Sequence, residues 1–234
     1  MSKRISPYGS WKSPITGDIV ASGNVGLGQI EIENKDVYWS EMRPSEKGRC
    51  VIVKHSPVEG TIDINPSPFN ARTRVHEYGG GSYKVIKNEV FFTNFADQRI
   101  YRMKPVENPK PITLETELRH ADFEFDSTRD RLICVREDHT EKSREAVNTI
   151  VSMNLEGKNF KTLVQGNGFY SSPRISPKGK YLAWLTWNHP HMPWNKTQLW
   201  IGKLSQDGSI EEQIQINKNI TESIVQPLWS PDNI

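Results

Sequence analysis

The sequence repeats one short, strand-rich unit four times, and this repeat limits the fold more than any other feature. The second strand of each unit begins near Val37, Val90, Leu132 and Leu182, at separations of 53, 42 and 50 residues. Short runs of Val, Ile, Phe, Tyr and Trp alternate with Gly, Pro, Asn and Asp, which is the pattern of strands and tight turns. Periods of roughly 40–50 residues built only from short strands are typical of a β-propeller, in which each unit is one four-stranded blade.

The repeat therefore predicts an all-β fold, a partial β-propeller of about four four-stranded antiparallel blades plus the first strand of a fifth. The second strands are apolar on both faces, as in Phe91 beside Phe92, and such strands are buried on both sides. Ser-Pro steps at Ser176 and Ser230, 54 residues apart, indicate where the fifth unit begins. In order, the predicted segments are an arm of residues 1–26 and a propeller of residues 27–234 with blades at 27–67, 82–115, 120–166, 169–216 and from about 223.

One segment departs from the strand pattern. Residues 140–147 have a helix-like composition, and they predict a short helix of about two turns between two strands.

Charge and cysteine content narrow the class of protein. The chain has 30 basic and 28 acidic residues, a net charge of +2, and no run of like charge, which argues against nucleic-acid or membrane partners. No stretch approaches 18 apolar residues, and the N-terminus lacks the apolar core of a secretion signal. Cys50 and Cys134 lie in apolar runs, as expected of thiols in a reducing compartment. We therefore expect a soluble, cytoplasmic protein.

Four local motifs distinguish this propeller from others. They are residues 8–16 (YGSWKSPIT), 72–81 (RTRVHEYGGG), 94–99 (NFADQR) and 182–190 (LAWLTWNHP). Together they resemble the N-terminal propeller of the prolyl oligopeptidase family of serine peptidases, and most of all its dipeptidyl aminopeptidase/acylaminoacyl-peptidase-like subgroup. The resemblance runs from about Tyr8 to the end of the sequence.

The resemblance implies an activity for the parent protein rather than for this chain. In that family an α/β-hydrolase domain follows the propeller and carries a Ser-Asp-His site that faces the central tunnel, so that only short peptides enter. The present sequence has no Gly-x-Ser-x-Gly elbow, because no two of its glycines are four residues apart. We therefore expect no catalytic residues here, a role in gating short peptide substrates, and contact with the peptide through the missing hydrolase domain.

Two other functional classes stay open at this point. A stand-alone propeller could act as a protein-interaction scaffold with no chemistry. A propeller enzyme with its site in the tunnel, such as a lactonase or lyase, would need acidic or His ligands on the inner strands, which are mostly apolar.

The segment before the triple glycine is the best candidate for substrate binding. Arg74, Glu77 and Tyr78 lie within five residues; a charged side chain among them would bind a charged peptide end, and Tyr78 would pack on the substrate. The alternative is a buried polar network between blades one and two, or an interdomain contact. The glycines that follow, at 79–81, predict a close backbone approach or a turn with positive φ.

Other features predict structure rather than chemistry. His189 and His191 form a His-x-His pair without a nearby cysteine or acidic partner, so we expect no metal and no cofactor. Trp11 in the N-terminal arm is expected to be an exposed apolar anchor, since the resemblance places the arm against the hydrolase domain. A partial propeller leaves its end blades with open edges, which predicts self-association.

Overall fold

A computed structural model describes residues 5–10, 12–105, 107–218 and 222–232. Its elements are one α-helix, α1, one short 3₁₀ helix at Pro44–Glu46, and sixteen strands. The α-helix is Gly17–Ser22, and the first eight strands are β1 Gly26–Glu33, β2 Asp36–Arg43, β3 Arg49–Ser56, β4 Gly60–Asp63, β5 Tyr83–Ile86, β6 Glu89–Thr93, β7 Ile100–Met103 and β8 Lys110–Pro111. The other eight are β9 Leu118–Asp126, β10 Arg131–Asp138, β11 Val147–Asn154, β12 Lys161–Val164, β13 Phe169–Ile175, β14 Tyr181–Trp187, β15 Gln198–Leu204 and β16 Ile210–Gln215.

The strands form four separate four-stranded sheets, each made of consecutive antiparallel strands. The sheets extend over residues 26–63, 83–111, 118–164 and 169–215. Their first strands contact one another in chain order, β1 with β5, β5 with β9, and β9 with β13. The blades therefore stand side by side in an arc with these strands innermost, and the predicted all-β propeller architecture is confirmed.

Three hydrophobic cores lie between the four blades. Tyr38 of blade one packs in a cluster with Phe92 of blade two, and Phe91 on the opposite face of β6 packs in a cluster with Leu132 of blade three. A third cluster joins blade three to Trp184 of blade four. Neighbouring residues on a strand face opposite sides of the sheet, so each inner blade presents one apolar face to each neighbour. This arrangement explains the continuous apolar runs of the second strands.

The inner strands are bent by bulges, and these bulges place polar groups between blades. The register shifts in β9 and in β13, and Asp122 and Ser172 at these positions have φ of 55° and 52°. A bulge leaves its extra residue out of the ladder and re-aims the side chain. Asp122 thereby points away from its own sheet and reaches both neighbouring blades, where it accepts backbone hydrogen bonds.

The prediction of a helix at residues 140–147 is wrong. The segment is a series of turns, and the carboxylate of Asp138 accepts hydrogen bonds from both the backbone N–H and the hydroxyl of Thr140. Glu141 does the same for Ser143. Such local side-chain bonds compete with helical backbone bonds. The α-helix of the described residues lies instead in the N-terminal arm, where Thr16 caps it.

The segment after blade four packs against that blade but has no strand pairing within residues 222–232. The Ile224 N–H donates to Thr197 Oγ1 at 2.7 Å, and the Trp229 indole N–H donates to the Arg174 carbonyl at 2.8 Å. A strand is stabilised by hydrogen bonds to a partner strand, and here the backbone has none. The predicted anchor Trp11 lies outside the described residues. Among the described helices, none is long and apolar enough to cross a membrane.

Candidate functional site

The connection from blade one to blade two contains a tightly folded stretch, residues 74–81, here named the 74–81 loop. Its turn is closed by hydrogen bonds from the Glu77 N–H to the Arg74 carbonyl at 2.9 Å and from the Gly79 N–H to the Val75 carbonyl at 2.8 Å. His76 and Glu77 have φ of 57° and 63°, a left-handed conformation that is uncommon for such residues and persists only where surrounding contacts hold it.

Two carboxylates from blade three provide those contacts. Glu137 Oε1 accepts the His76 N–H at 2.7 Å, and Asp122 Oδ1 accepts the Gly81 N–H at 2.6 Å. The Asp122 N–H in turn donates to the Gly81 carbonyl at 2.7 Å. A Cβ at Gly81 would lie 2.9 Å from Asp122 Oδ1, and Gly79 has a φ of 94°. The triple glycine therefore serves both the close approach and the positive φ that its sequence predicts.

Glu77 projects from this loop into solvent. Its carboxylate lies 2.6 Å from Arg119 Nη1, although 78% of the Glu77 side chain is exposed. The hydrogen bond from Arg119 lowers the pKa of Glu77 below its ordinary value. Glu77 is therefore an exposed and ionised carboxylate near neutral pH.

Tyr78 lies beside Glu77 at the mouth of a cavity of about 730 Å³. Tyr78 is 51% exposed. The centroid of its ring is 5.5 Å from the ring centroid of His76 and 5.9 Å from the ring centroid of Trp194. Partial burial raises the pKa of Tyr78 to about 12, and the charges of Glu137 and Asp122 add to the effect. Tyr78 is thus a neutral, half-exposed phenol.

Arg74 does not line this cavity. Its guanidinium lies over the Phe95 ring at 4.4 Å, and its backbone N–H donates to Gln98 Oε1 at 2.8 Å. It borders an adjacent cleft with Gln98 and Arg119. The structure therefore brings Glu77 and Tyr78 together and turns Arg74 away from them.

Blades three and four both line the cavity, and blade four contributes the aromatic pair Phe169 and Trp187. Phe169 stacks on Trp187 with centroids 5.5 Å apart and an interplanar angle of 12°. The ring centroids of His76 and Trp187 are 5.0 Å apart, and those of His189 and Phe169 are also 5.0 Å apart, both pairs in edge-to-face geometry. Phe169 and Trp187 could not be recognised as site residues from the sequence, because they are 91 and 109 positions from Tyr78 and resemble ordinary strand residues.

One buried carboxylate, that of Glu137, is among the lining residues of the cavity. Glu137 is 4% exposed and lies 3.0 Å from His139 Nε2 through its second oxygen. Burial lowers the pKa of His76, while the charges of Glu137 and Asp122 act in the opposite direction. The Glu137 carboxylate favours a cation in the cavity, and Arg119 Nη1, which lies 3.9 Å from it, offsets part of this charge.

The His-x-His pair stays on the rim. His189 lies 3.7 Å from the exposed carboxylate of Glu145. Across the residues that the structure describes, no group of three His, Cys, Asp or Glu side chains is placed to hold a metal ion.

Comparison with known proteins identifies relatives for almost the whole chain. The chain is 34% identical to a puromycin-hydrolyzing peptidase of Mycobacterium tuberculosis, with a TM-score of 0.83 over 98% of this chain. It is 29% identical to a puromycin hydrolase of known structure, with a TM-score of 0.86 over 97% of this chain. Dipeptidyl-peptidase 5 of Schizosaccharomyces pombe is 32% identical over 185 residues, which is 73% of this chain. No protein-family model matches the chain.

The matched region is a minor part of each relative. The chain spans 38% of the length of both solved structures and 26% of the curated dipeptidyl-peptidase. The similarity nevertheless covers all four blades. The motif resemblance is thereby confirmed: the chain is homologous to the β-propeller region of peptidases of the prolyl oligopeptidase family.

Proposed function

We propose that this chain is the substrate-gating propeller of a serine peptidase that acts on short peptides. The observation that carries the proposal is the match over 98% of the chain to a puromycin-hydrolyzing peptidase at 34% identity. A puromycin hydrolase mutant complexed with PGG, 29% identical to this chain, is a further relative. The catalytic groups would belong to the rest of the protein, and the propeller would limit access by size.

Within that role, Glu77 binds the ammonium group of the peptide and Tyr78 packs against the first residue. Glu77 suits this task because it is ionised and exposed at the mouth of the cavity, and charge-assisted hydrogen bonds to a carboxylate are among the stronger ones. Arg74 is the weaker candidate, since its guanidinium lies on Phe95. It would act, if at all, on a peptide group in the adjacent cleft.

Replacement of Glu77 in the full-length protein tests this role. We expect Glu77→Gln to raise KM about tenfold for tripeptides with a free amino end, with a smaller effect on kcat, because one charge-assisted bond of about 1.5 kcal/mol is lost. N-acetylated peptides should show no such increase. Glu156→Gln is the matched control, because Glu156 is another exposed carboxylate near an arginine, 3.6 Å from Arg102. Unchanged kinetics for free and acetylated peptides would remove Glu77 from the site.

Peptide hydrolysis itself separates the peptidase from a stand-alone scaffold. A gating propeller predicts that the full-length protein hydrolyses tripeptides, is inhibited by a serine-directed reagent, and leaves folded proteins intact. A scaffold predicts no hydrolysis of either substrate.

We also propose a cytoplasmic location. Cys50 and Cys134 are free thiols in the structure, and burial raises the pKa of both, which keeps them protonated and unreactive. Cell fractionation with the full-length protein tests this, and recovery in a secreted or periplasmic fraction would contradict it.

A further inference from the structure

We infer that the step from Asn167 to Gly168 is a deamidation site, and that the side chain of Asn188 keeps this site closed in the folded protein. The sequence contains one Asn-Gly step, at residues 167–168. It lies in the connection from blade three to blade four, between β12 and β13. The inference does not depend on the proposed peptidase function.

The reaction uses two groups that are adjacent at this step. The backbone nitrogen of Gly168 loses its proton and attacks Cγ of the Asn167 side-chain amide. The amide nitrogen leaves with a proton as ammonia, and a five-membered succinimide ring remains. Water then opens the ring at one of its two carbonyl groups, which gives aspartate or isoaspartate. A glycine in the second position favours the attack, because it has no Cβ to hinder the nitrogen and its backbone reaches many conformations.

Asn188 holds both reacting groups. The Gly168 N–H donates to Asn188 Oδ1 at 2.6 Å, and the Asn188 side-chain amide donates to Asn167 Oδ1 at 3.0 Å. The backbone before the step is also fixed, because the Asn167 N–H donates to the buried Tyr170 hydroxyl at 2.8 Å. The Gly168 nitrogen must give up its acceptor before it can lose its proton and turn towards Cγ. Two hydrogen bonds of one side chain therefore oppose the attack.

The sheet of blade four holds Asn188 in this position. Phe169 pairs with Trp187 in the ladder of β13 and β14. Asn188 follows Trp187 and Gly168 precedes Phe169, so the two residues lie where the antiparallel ladder would continue. The Asn188 side chain takes the place of the next backbone partner of Gly168, and the protection is thus a property of the folded blade.

Deamidation would change the wall of the candidate site. Asn167 and Gly168 both line the cavity, and Phe169 follows them. Aspartate would add a carboxylate to the lining. Isoaspartate would add one carbon atom to the backbone immediately before Phe169, which stacks on Trp187. Asn188 therefore preserves the shape and the charge of the cavity as the protein ages.

Incubation of the full-length protein at neutral pH, followed by mass spectrometry, measures the reaction. Trypsin cleaves after Lys161 and Arg174, and the peptide of residues 162–174 has Asn167 as its one asparagine, so the change from amide to acid in that peptide reports this site. We expect Asn188→Ala to deamidate about tenfold faster than the unmodified protein, the factor that corresponds to one lost hydrogen bond. An equal or slower rate would overturn the inference.

Thr186→Val separates the hydrogen bonds of Asn188 from a general loosening of the same strands. Thr186 is buried, and its hydroxyl donates to the Phe169 carbonyl at 2.6 Å. This variant loses a bond of the β13–β14 pair and keeps Asn188, so its deamidation rate should equal that of the unmodified protein. Circular dichroism verifies that both variants are folded. A rate as high in Thr186→Val as in Asn188→Ala would contradict the role of Asn188.

Concentrated urea provides the reference for the unprotected site. The unmodified protein and Asn188→Ala should deamidate at the same rate in urea, because the two hydrogen bonds exist only in the folded state. The folded unmodified protein should be about tenfold slower than this reference. If it deamidates as fast as the unfolded chain, the site is open in the folded protein and the inference is wrong, whether or not Asn188→Ala folds.

Discussion

At the scale of single residues, one carboxylate holds three blades together. Asp122 of blade three accepts the N–H of Gly81, which leads into blade two, through one oxygen and the Ser172 N–H of blade four, at 2.9 Å, through the other. Charged acceptors strengthen such bonds. The two contacts require a residue without a side chain at position 81, because the Cβ of any other residue would occupy the space of the Asp122 carboxylate.

Gly81→Ala should therefore destabilise the protein by about 1–3 kcal/mol, the usual cost of overpacking. A Cβ at Gly81 would be 2.9 Å from Asp122 Oδ1, whereas a Cβ at Gly17 has no neighbour within 4 Å. Gly17→Ala is thus the matched control, and it should be neutral or slightly stabilising because alanine favours the helix. Urea unfolding measures both variants, and equal stabilities would contradict the close approach.

A second residue-scale feature is a buried histidine whose ring nitrogens lack hydrogen-bond partners among the described residues. His120 is 2% exposed, and neither ring nitrogen has a hydrogen-bond partner among the described residues. Burial lowers the pKa of His120 to about 3, with a smaller contribution from Arg136. The folded protein therefore keeps His120 neutral at pH values where the unfolded chain, with an ordinary pKa of 6.5, takes up a proton.

This difference predicts an acid-sensitive fold. Between pH 6.5 and about pH 3 the unfolded chain has His120 protonated and the folded protein does not. The contribution of neutral His120 to the free energy of unfolding is therefore complete above pH 6.5, and it falls by roughly 1.4 kcal/mol for each pH unit below that value. His120→Leu should reduce the loss of stability between pH 7 and pH 4.5 by about 2 kcal/mol. Urea unfolding at the two pH values gives the result, with the exposed His55→Leu as control. The same loss in His120→Leu as in the unmodified protein would show that other groups dominate.

At the scale of elements, the inner strands of the first three blades share one ammonium group. Lys84 Nζ on β5 lies 3.1 Å from Glu31 of β1 and 3.3 Å from Glu124 of β9. Burial alone would lower the pKa of Lys84, but Glu124 and Glu31 together raise it. The three side chains are at most 20% exposed, so removal of the lysine would leave two partly buried carboxylates without their shared partner.

Lys84→Met should for this reason cost about 2–3 kcal/mol of unfolding free energy, somewhat less than a fully buried pair. Lys87→Met on the adjacent turn is the control, since its pair with Asp130 is more than 60% exposed on both sides and such pairs contribute at most about 1 kcal/mol. Chemical denaturation compares the two. A loss no greater for Lys84→Met than for Lys87→Met would show that the inner strands are held by packing alone.

The blades themselves could be predicted from the sequence because each is a local structure. The four second strands predicted to begin near Val37, Val90, Leu132 and Leu182 are observed as β2, β6, β10 and β14. Strand residues and turn residues alternate over a few positions, so a short window contains the information. The confirmed architecture depends on no contact between distant segments except the stacking of one blade on the next.

The site could be predicted only in part, because its walls are assembled from distant segments. Glu77 and Tyr78 are adjacent in the sequence, but Phe169 and Trp187 join them only when blade four packs beyond blade three. The error at residues 140–147 has a local cause of another kind. Its composition favours a helix, whereas the side chains of Asp138 and Glu141 bind the backbone and form turns.

At the scale of the whole molecule, the arc has apolar surface at its ends. Leu27, Ile30 and Ile32 of blade one are 75%, 70% and 72% exposed, and Leu228 beyond blade four is 84% exposed. Corresponding residues of the inner blades are covered by a neighbouring blade. Contiguous exposed apolar residues of this kind favour association or packing against further structure.

The 234-residue chain expressed alone should therefore self-associate. Ile30→Lys combined with Ile32→Lys should shift it towards monomer, because two charges on the face oppose apolar contact. Val58→Lys, at a position that is 93% exposed in a turn outside this face, is the control. Sedimentation velocity at several concentrations measures the effect, and a monodisperse unmodified chain would contradict the prediction.

The grouping of consecutive strands into one sheet also has a consequence for synthesis. Each blade uses only residues that leave the ribosome one after another, from 26–63 through 169–215. A blade can complete its backbone hydrogen bonds before the next blade is translated. Each new blade then packs on the apolar face of a blade that has already folded. Contacts that are near in sequence form quickly, and the protein can grow from its first blade outward while translation continues.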